Sequence, residues 1–234
     1  MSEAVKNRPG DGRRRILKAL KRGLGREELP ADRREELETR LRLPKGNLVP
    51  ARGDKPHGEQ VALFAEMAEA VQASVARVAD GAEVPGAVAD YLAQNNLPSD
   101  IVMAPDTALD SYPWAARPLL KMRRGSAEDS DQVSLTGADM AFAETGTLML
   151  TSDAERPSTL NFLPENHIVV LRAEQITGAY EEGWRRLRAG AGGGSFMPRT
   201  VNLVTGPSRT GDIEQTMQLG AHGPRRLHII IVEK

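Results

Sequence analysis

Two acidic residues, Asp139 and Glu144, are the first candidates for chemistry, because they lie five positions apart between two short apolar segments. Two carboxylates that share a partly buried cleft repel each other, which raises the pKa of one and separates an acid role from a base role. Glu144 could also attack an activated acyl group as a covalent nucleophile. Acidic residues in turns often only accept turn and cap hydrogen bonds, and the spacing by itself favours that structural role.

The residues around these carboxylates favour a ligand that approaches the backbone closely. Glycine has no Cβ, so a ligand can lie against the main chain at a glycine position. The predicted ligand-binding residues beside the two carboxylates are Gly137, Thr145, Gly146 and Thr147.

A second candidate site is the loop that follows the apolar segment 201–205. Its predicted binding residues are Gly206, Ser208, Arg209 and Thr210. The sequence predicts that this loop opens a helix over residues 212–219, whose N-terminus would offer free N–H groups and a positive dipole to a carboxylate or phosphate. Ordinary helix capping is the alternative, and Asp212 in the first turn would compete with a bound anion. The segment matches neither a Walker loop nor the G-x-G-x-x-G pattern, so no nucleotide is predicted.

His222, in the turn 219–224, is the third candidate, as a general acid or base. Turn histidines are more often structural. His167 and His228 stand at the starts of apolar segments and are expected to pack there, whereas His57 is expected to be solvated. Because the chain has no cysteine, it forms no disulfide and holds no cofactor through Cys, and we predict no metal site.

The elements that must position these residues alternate between short apolar strands and amphipathic helices. The predicted strands are 101–104, 133–136, 147–151, 167–172, 201–205 and 228–232, and the predicted helices after residue 57 are 58–79, 86–95, 174–188 and 212–219. Buried strands that alternate with helices indicate an α/β fold with a mostly parallel sheet covered on both faces. In such a fold, we expect the site at the carboxyl ends of the strands.

The N-terminal region differs in charge from the rest. Residues 1–55 carry 16 Lys/Arg against 9 Asp/Glu, a net charge of +7, and residues 56–234 carry a net charge of −8. Helices are predicted over 13–24 and 33–43, followed by a loop rich in Pro and Gly. Because the segment lacks aromatic residues and mixes both signs of charge, a solvated helical extension is favoured over a nucleic-acid-binding arm.

Composition excludes two further classes of protein. No segment approaches the roughly 18 consecutive apolar residues of a membrane span. The basic N-terminus lacks the apolar core and the cleavage site of a secretory signal. With 40% hydrophobic and 27% charged residues, the sequence predicts a cytoplasmic protein with no membrane span and no nucleic-acid partner.

Four segments occur in a characteristic order: Ala-Glu-Thr-Gly-Thr at 143–147, His-Ile-Val-Val at 167–170, the loop 205–210 leading to Asp-Ile-Glu, and His-Gly-Pro at 222–224. Together they resemble the lactate utilisation protein C family, which carries the LUD domain. The resemblance covers residues 57–234 well and the first 55 loosely. Gly211 and Ala221 stand where the family is expected to have alanine and valine, and neither departure removes a side chain that could do chemistry.

The resemblance implies an α/β/α three-layer sandwich of the ribose-phosphate isomerase and CoA-transferase group, preceded here by the helical extension. It also implies a role in oxidising L-lactate to pyruvate beside two partner proteins, one rich in cysteine and one carrying an iron–sulfur module. In that fold group, a Gly-Ala-Asp turn and a glutamate before a glycine often face the substrate, which matches Asp139 and Glu144.

Three hypotheses follow. The first is a non-redox component of a lactate-oxidising system, which works with the iron–sulfur proteins and has a pocket for a small carboxylate or cofactor fragment, with Glu144, Asp139 and His222 as catalytic candidates. The second is a free-standing enzyme of the CoA-transferase or isomerase kind, with Glu144 as nucleophile or base. The third is a scaffold that docks a partner through residues 1–55.

Overall fold

A computed structural model describes residues 11–25, 29–43, 45–46, 48–190, 198–213 and 216–234. The chain divides into two compact units, Met1–Gly46 and Asn47–Lys234. The first unit contains α1 (Asp11–Gly23) and α2 (Ala31–Arg42), so both helices predicted for the basic extension are present. No side chain of α2 is buried, which agrees with its weak apolar pattern.

The second unit carries the sheets. In chain order it contains α3 (His57–Ala70), β1 (Ser74–Val78), α4 (Val84–Gln94), β2 (Asp100–Met103), β3 (Lys121–Arg124), β4 (Val133–Gly137), β5 (Met140–Phe142), β6 (Thr147–Thr151), β7 (Asn166–Arg172), β8 (Ile176–Thr177), α5 (Tyr180–Gly190), β9 (Val201–Thr205), β10 (Arg209–Ile213), β11 (Thr216–Leu219) and β12 (Arg226–Val232). Short 3₁₀ helices join several of these elements, among them one at Ser158–Asn161.

The main sheet has six strands in the order β1-β12-β7-β4-β2-β3, and every neighbouring pair is parallel. Its central strands β7 and β12 are nearly continuous runs of buried Ile, Val and Leu, as expected for strands that are covered on both faces. This confirms the predicted α/β class and the mainly parallel sheet.

A second sheet of four strands has the order β8-β5-β6-β9, in which β6 runs antiparallel to both β5 and β9. The prediction that segments 147–151 and 201–205 belong to the parallel sheet is therefore wrong. The turn 143–146 between β5 and β6 is too short for a parallel crossover, which needs a dozen or more residues, so the two strands form a hairpin.

The predicted helix 58–79 ends early. α3 stops at Ala70, Gln72 turns the chain with a φ of 70°, and β1 follows. Val75 and Val78 lie on β1 and pair with β12. Valines three apart fit either a helix or a strand, and the β-branched side chains favour the strand here.

The predicted helix 86–95 agrees with α4, whereas the predictions for 174–188 and 212–219 need correction. Within 174–188, the helix begins only at Tyr180, because Ile176 lies in β8. The helix predicted over 212–219 is a β-hairpin in which β10 and β11 pair antiparallel; residues 214–215 lie outside the described residues. An eight-residue segment gains little from local helix formation, so the antiparallel pairing decides its structure.

Three clusters of buried side chains form the core of the described residues. α4 packs on one face of the main sheet together with Leu109, and α3 and the second sheet pack on the other face. α5 covers the outer side of the second sheet, where the rings of Phe142 and Tyr180 lie 4.3 Å apart. α4 and α5 therefore cover the outer faces of the two sheets, and the inner faces of the sheets bound the space between them.

Candidate functional site

A polar stripe crosses the otherwise apolar space between the two sheets. Ser134 pairs with His167 and Thr136 with Val169, so these residues share the face on which Val169 packs against the second sheet. All are buried, and the His167 ring is only 1% exposed. His167 Nε2 lies 2.8 Å from Thr136 Oγ1, and Ser134 Oγ donates to the carbonyl of Leu160 over 2.7 Å.

A cavity of about 250 Å³ adjoins this stripe, and we call it the inter-sheet cavity. It brings together predicted and unpredicted residues: Gly206, Ser208, Arg209 and His222 with Asn161 and His167. Because His167 and Leu227 stand at the beginnings of β7 and β12, the cavity lies by the amino ends of these strands. The expectation of a site at the carboxyl ends therefore fails for this group of residues.

Two loops that bind to each other form the outer wall of the cavity. Ser208 N donates to Pro224 O over 2.9 Å, and Gly220 N donates to Ser208 O over 3.0 Å. The Ser208 hydroxyl accepts a further bond from His222 N at 3.3 Å. These contacts hold Ser208 and His222, which are 14 residues apart in sequence, side by side.

The end of α3 fixes the position of the same loop. Gly206 has a φ of 69°, and a Cβ there would lie 2.3 Å from the carbonyl oxygen of Val71, so only glycine fits without distortion. The Arg209 guanidinium donates through Nη2 to that same carbonyl, which leaves its other N–H groups for the cavity. Thr210 lies in β10 and is not part of the cavity wall.

The predicted anion site at a helix N-terminus is wrong, because the loop leads into β10 and no helix follows it. A helix dipole therefore cannot contribute to anion binding here. Arg209 provides the positive charge on the cavity wall instead.

Asp139 lies near the cavity but is already engaged. Its Oδ2 accepts from Thr151 N at 2.7 Å, and its Oδ1 pairs with Arg156 at 2.5 Å. The Arg156 side chain also hydrogen-bonds to Asp153 and holds the pKa of that carboxyl below its usual value. Asn161 lines both the inter-sheet cavity and a small cleft beside Asp139, so it separates the two.

Glu144 occupies a different environment, at the start of α5. Its side chain is 4% exposed, and Oε1 accepts from Tyr180 N at 3.1 Å, in the manner of a helix N-cap. Its own N–H donates to Gly178 O at 3.1 Å. Gly146 has a φ of 66°, and a Cβ there would lie 2.4 Å from Ala68 N, so this glycine allows the turn to pack on α3.

Four hydroxyl groups form a network beside this turn. Thr145 Oγ1 lies 2.7 Å from Thr147 Oγ1 and 2.8 Å from the Tyr180 hydroxyl, and Thr147 Oγ1 lies 2.7 Å from Thr205 Oγ1. Of these residues, Thr205 also lines the inter-sheet cavity. Residues 144–147 thus support the cavity wall without forming part of it.

Burial determines the charge state of the histidine on the cavity wall. Desolvation lowers the pKa of His167 to about 3, so its ring is neutral near pH 7. Sequence reasoning had assigned only packing to His167 and had missed Asn161 and Arg156. For His167, the available signal was its place beside Asn166 at the start of an otherwise apolar strand.

The described residues also bear on metal binding and on membrane insertion. Among them, no three His, Asp or Glu side chains are grouped in a way that could hold a metal ion. No helix within the same residues is long and apolar enough to cross a bilayer.

Comparison with known protein families shows to which family this chain belongs. The LUD domain model matches residues 61–232, which is most of the chain. This chain belongs to the LUD domain family. The prediction from the four ordered segments is thereby confirmed.

Relatives of this LUD domain chain include proteins named lactate utilization protein C. The protein from Deinococcus radiodurans is 35% identical over 158 residues, which cover 64% of this chain and 69% of that protein. The one from Halalkalibacterium halodurans is 33% identical over 107 residues, 46% of each chain. Lactate utilization protein C 1 from Bacillus mycoides is 33% identical over 101 residues, 43% of each. The chain thus matches less than half the length of these last two relatives.

A solved structure has the same LUD domain fold. The crystal structure of a DUF162 family protein from Deinococcus radiodurans has a TM-score of 0.55 and 27% identity with this chain, covering 76% of this chain and 99% of that one. This agrees with the parallel main sheet described above.

Proposed function

We propose that this chain is a component of a lactate-oxidising system and that it binds a small carboxylate in the inter-sheet cavity. The observation that carries the proposal is the convergence of Arg209, Ser208 and His222 with the buried His167 on one cavity of about 250 Å³. The names of the relatives, lactate utilization protein C, support the choice of a 2-hydroxy acid as the ligand.

Each of these side chains has a distinct chemical role in the proposal. The free N–H groups of Arg209 bind the carboxylate, since a guanidinium pairs with both oxygens of such a group. Ser208 offers a hydroxyl to the same end of the ligand. His222, which is solvent-exposed at the cavity mouth, accepts the proton of the 2-hydroxyl group. His167 stays neutral because of its burial and binds the ligand by a hydrogen bond without adding charge.

The oxidation itself requires an electron acceptor. Conversion of lactate to pyruvate releases two electrons and two protons, and a chain without cysteine cannot hold an iron–sulfur cluster through thiolates. We therefore assign the two electrons and the proton from C2 to the iron–sulfur partner proteins, and we assign binding of the acid and removal of its hydroxyl proton to this chain. The alternative of a CoA-transferase with Glu144 as nucleophile gains no support from the geometry, because the Glu144 carboxylate accepts the backbone N–H of Tyr180 and lies outside the cavity wall.

Calorimetric titration with L-lactate and with pyruvate tests the proposal. We expect the wild-type chain to bind at least one of them and Arg209→Lys to bind about tenfold more weakly, because lysine cannot form the paired contact. Arg188→Lys, an exposed position on α5, is the matched control and should bind like the wild type.

A growth experiment tests the role of the system. Deletion of the gene should prevent growth on L-lactate, and a copy carrying Arg209→Lys should restore it poorly, whereas Arg188→Lys should restore it fully. Normal growth of the deletion strain, together with no binding of either acid, would overturn the proposal.

A further inference from the structure

A groove follows the free edge of the main sheet, and it shares only Pro207 and Leu227 with the lining of the inter-sheet cavity. It has a volume of about 1200 Å³ and runs along the whole of β1, with α4, Arg117 and the segment 225–228 completing its walls. We call it the edge groove. All of its lining residues belong to the second compact unit.

β1 has an unpaired side. It is the terminal strand of the main sheet and pairs only with β12 among the described residues. The N–H and C=O groups on its other side are therefore available to a further strand, as edge strands generally are. Five residues of β1 offer about 17 Å of backbone, enough for a short extended segment to pair with it.

The opposite edge of the main sheet is β3, which carries more charged side chains than β1. β3 carries Lys121, Arg123 and Arg124, and each of them forms an ion pair, with Asp100, Asp131 and Asp110 respectively. Charged side chains of this kind are a usual protection of an edge against further pairing. β1 carries a single charged residue, Arg77, which pairs with Glu233.

The charge of the edge groove favours an acidic occupant. Four arginines line it, at positions 77, 117, 225 and 226, against the two acidic residues Glu83 and Asp90. Arg226 donates to Asn166, whereas the guanidinium groups of Arg117 and Arg225 have no hydrogen bond or ion pair with any described residue. Glu83 is engaged with the N–H of Ala79.

Two buried polar atoms in residues of the same wall also lack partners. The rings of Tyr91 and His228 stack with centroids 4.0 Å apart, and each residue is only 6% exposed. His228 Nδ1 lies 2.8 Å from Ser74 Oγ, but His228 Nε2 and the Tyr91 hydroxyl have no hydrogen-bond partner within the described residues. Buried polar groups are usually satisfied, and these two exceptions adjoin Ser74, the first residue of β1.

We propose that the edge groove binds an extended acidic segment of another protein, which adds to β1 as a further strand. Main-chain hydrogen bonds to β1 supply the register, and acidic side chains of the segment pair with Arg117 and Arg225. A second copy of this chain is a poorer occupant, because it would bring an identical cationic groove and the like charges would repel.

Fluorescence polarisation with a labelled peptide that alternates glutamate and valine over eight residues provides the first test. We expect saturable binding, no binding of the peptide in which lysine replaces glutamate, and loss of binding when alternate peptide nitrogens are methylated. The methylated peptide keeps its charge but loses main-chain donors, so it separates strand addition from simple charge attraction. Failure of the glutamate peptide to bind, or equal binding of the methylated form, would overturn the proposal.

Hydrogen exchange and two variants locate the binding. The peptide should slow amide exchange in residues 74–78, and Arg117→Glu with Arg225→Glu should weaken binding about tenfold or more, while Arg188→Glu on α5 should leave it unchanged. Binding that leaves exchange in 74–78 unaltered would contradict the assignment to β1. Protection of 74–78 that rises with protein concentration without peptide, with a dimer in solution, would show that a second copy is the occupant and would also overturn it.

Discussion

Two polar segments that follow strands of the second sheet differ in what their side chains do. Residues 143–147 turn from β5 into β6, and residues 205–209 leave β9. Both contain a glycine with positive φ pressed against the backbone of α3 or its end. In the first, Glu144 caps α5; in the second, Ser208 and Arg209 line a cavity.

The difference shows that residue type and spacing do not separate a structural turn from a binding loop. Glu144 meets the free N–H of Tyr180, so its carboxylate stabilises the start of a helix. Arg209 donates through Nη2 to Val71 O, and its other N–H groups remain available. The facing loop, which contains His222, leaves a cavity beside them. The neighbours that arrive from elsewhere in the chain decide between the two outcomes.

The largest expected effect comes from Gly146→Ala. A Cβ at this position would lie 2.4 Å from Ala68 N in a backbone of φ 66°, so we expect a loss of about 4 kcal/mol or more in the free energy of unfolding, measured with urea. Gly58→Ala in α3 meets nothing within 4 Å and should change stability by no more than about 1 kcal/mol. Similar midpoints for the two variants would contradict the close packing of the turn on α3.

The burial of His167 should make the free energy of unfolding decrease at acidic pH. The pKa of His167 is lowered from its ordinary 6.5 to about 3, so the unfolded chain takes up its proton first as the pH falls, and stability is complete above pH 6.5 and declines below it. Between pH 6.5 and 5 this loss is about 2 kcal/mol. Urea unfolding of the wild type and of His167→Gln at both pH values tests it. His228, whose pKa is also lowered by burial, to about 4, adds a decline that both proteins share. An equal decline in the two proteins would show that His167 is not the source.

Glu144 variants sharpen the comparison directly. Glu144→Ala should cost about 1–2 kcal/mol of stability through loss of the cap, and Glu144→Gln about half as much, since the amide oxygen still accepts the N–H of Tyr180. Neither should alter the affinity for lactate in a calorimetric titration. If Glu144→Gln folds normally but loses lactate binding or growth on lactate, then residues 143–147 belong to the functional site as residues 205–209 do, and Glu144 is catalytic.

Ser208→Ala should have the smallest effect on stability and a clear effect on the ligand. The backbone bonds of Ser208 to Pro224 and Gly220 remain, so the loss should stay below about 1 kcal/mol, while the Kd for lactate should rise several-fold. Ser126→Ala, at an exposed position outside the cavity, is the control for both measurements. An unchanged Kd in Ser208→Ala would remove Ser208 from the proposed site.

Much of the fold was accessible from the sequence, but the site only in part. The strands β2, β4, β7, β9 and β12 were predicted within one or two residues, because runs of Ile, Val and Leu indicate buried strands without reference to their neighbours. Of the predicted site residues, Gly206, Ser208, Arg209 and His222 lie on one cavity, and Asp139 and Glu144 do not. His167 was assigned to packing, because a single histidine in an apolar strand carries no local mark of a ligand site.

By itself, the sequence determined the α/β class, the basic helical extension and membership of the LUD domain family, since these follow from composition, periodicity and ordered motifs. Only the tertiary structure decided that 147–151 and 201–205 form a separate antiparallel sheet and that 212–219 is a hairpin rather than a helix. The physical reason is that local helix and strand preferences at these segments are weak, so strand pairing decides their structure. Segments 147–151 and 201–205 pair with each other across the chain, whereas β10 and β11 pair with each other as neighbours. The same holds for the site, where Val71 and Pro224 position Arg209 and Ser208 through backbone contacts that no local pattern encodes.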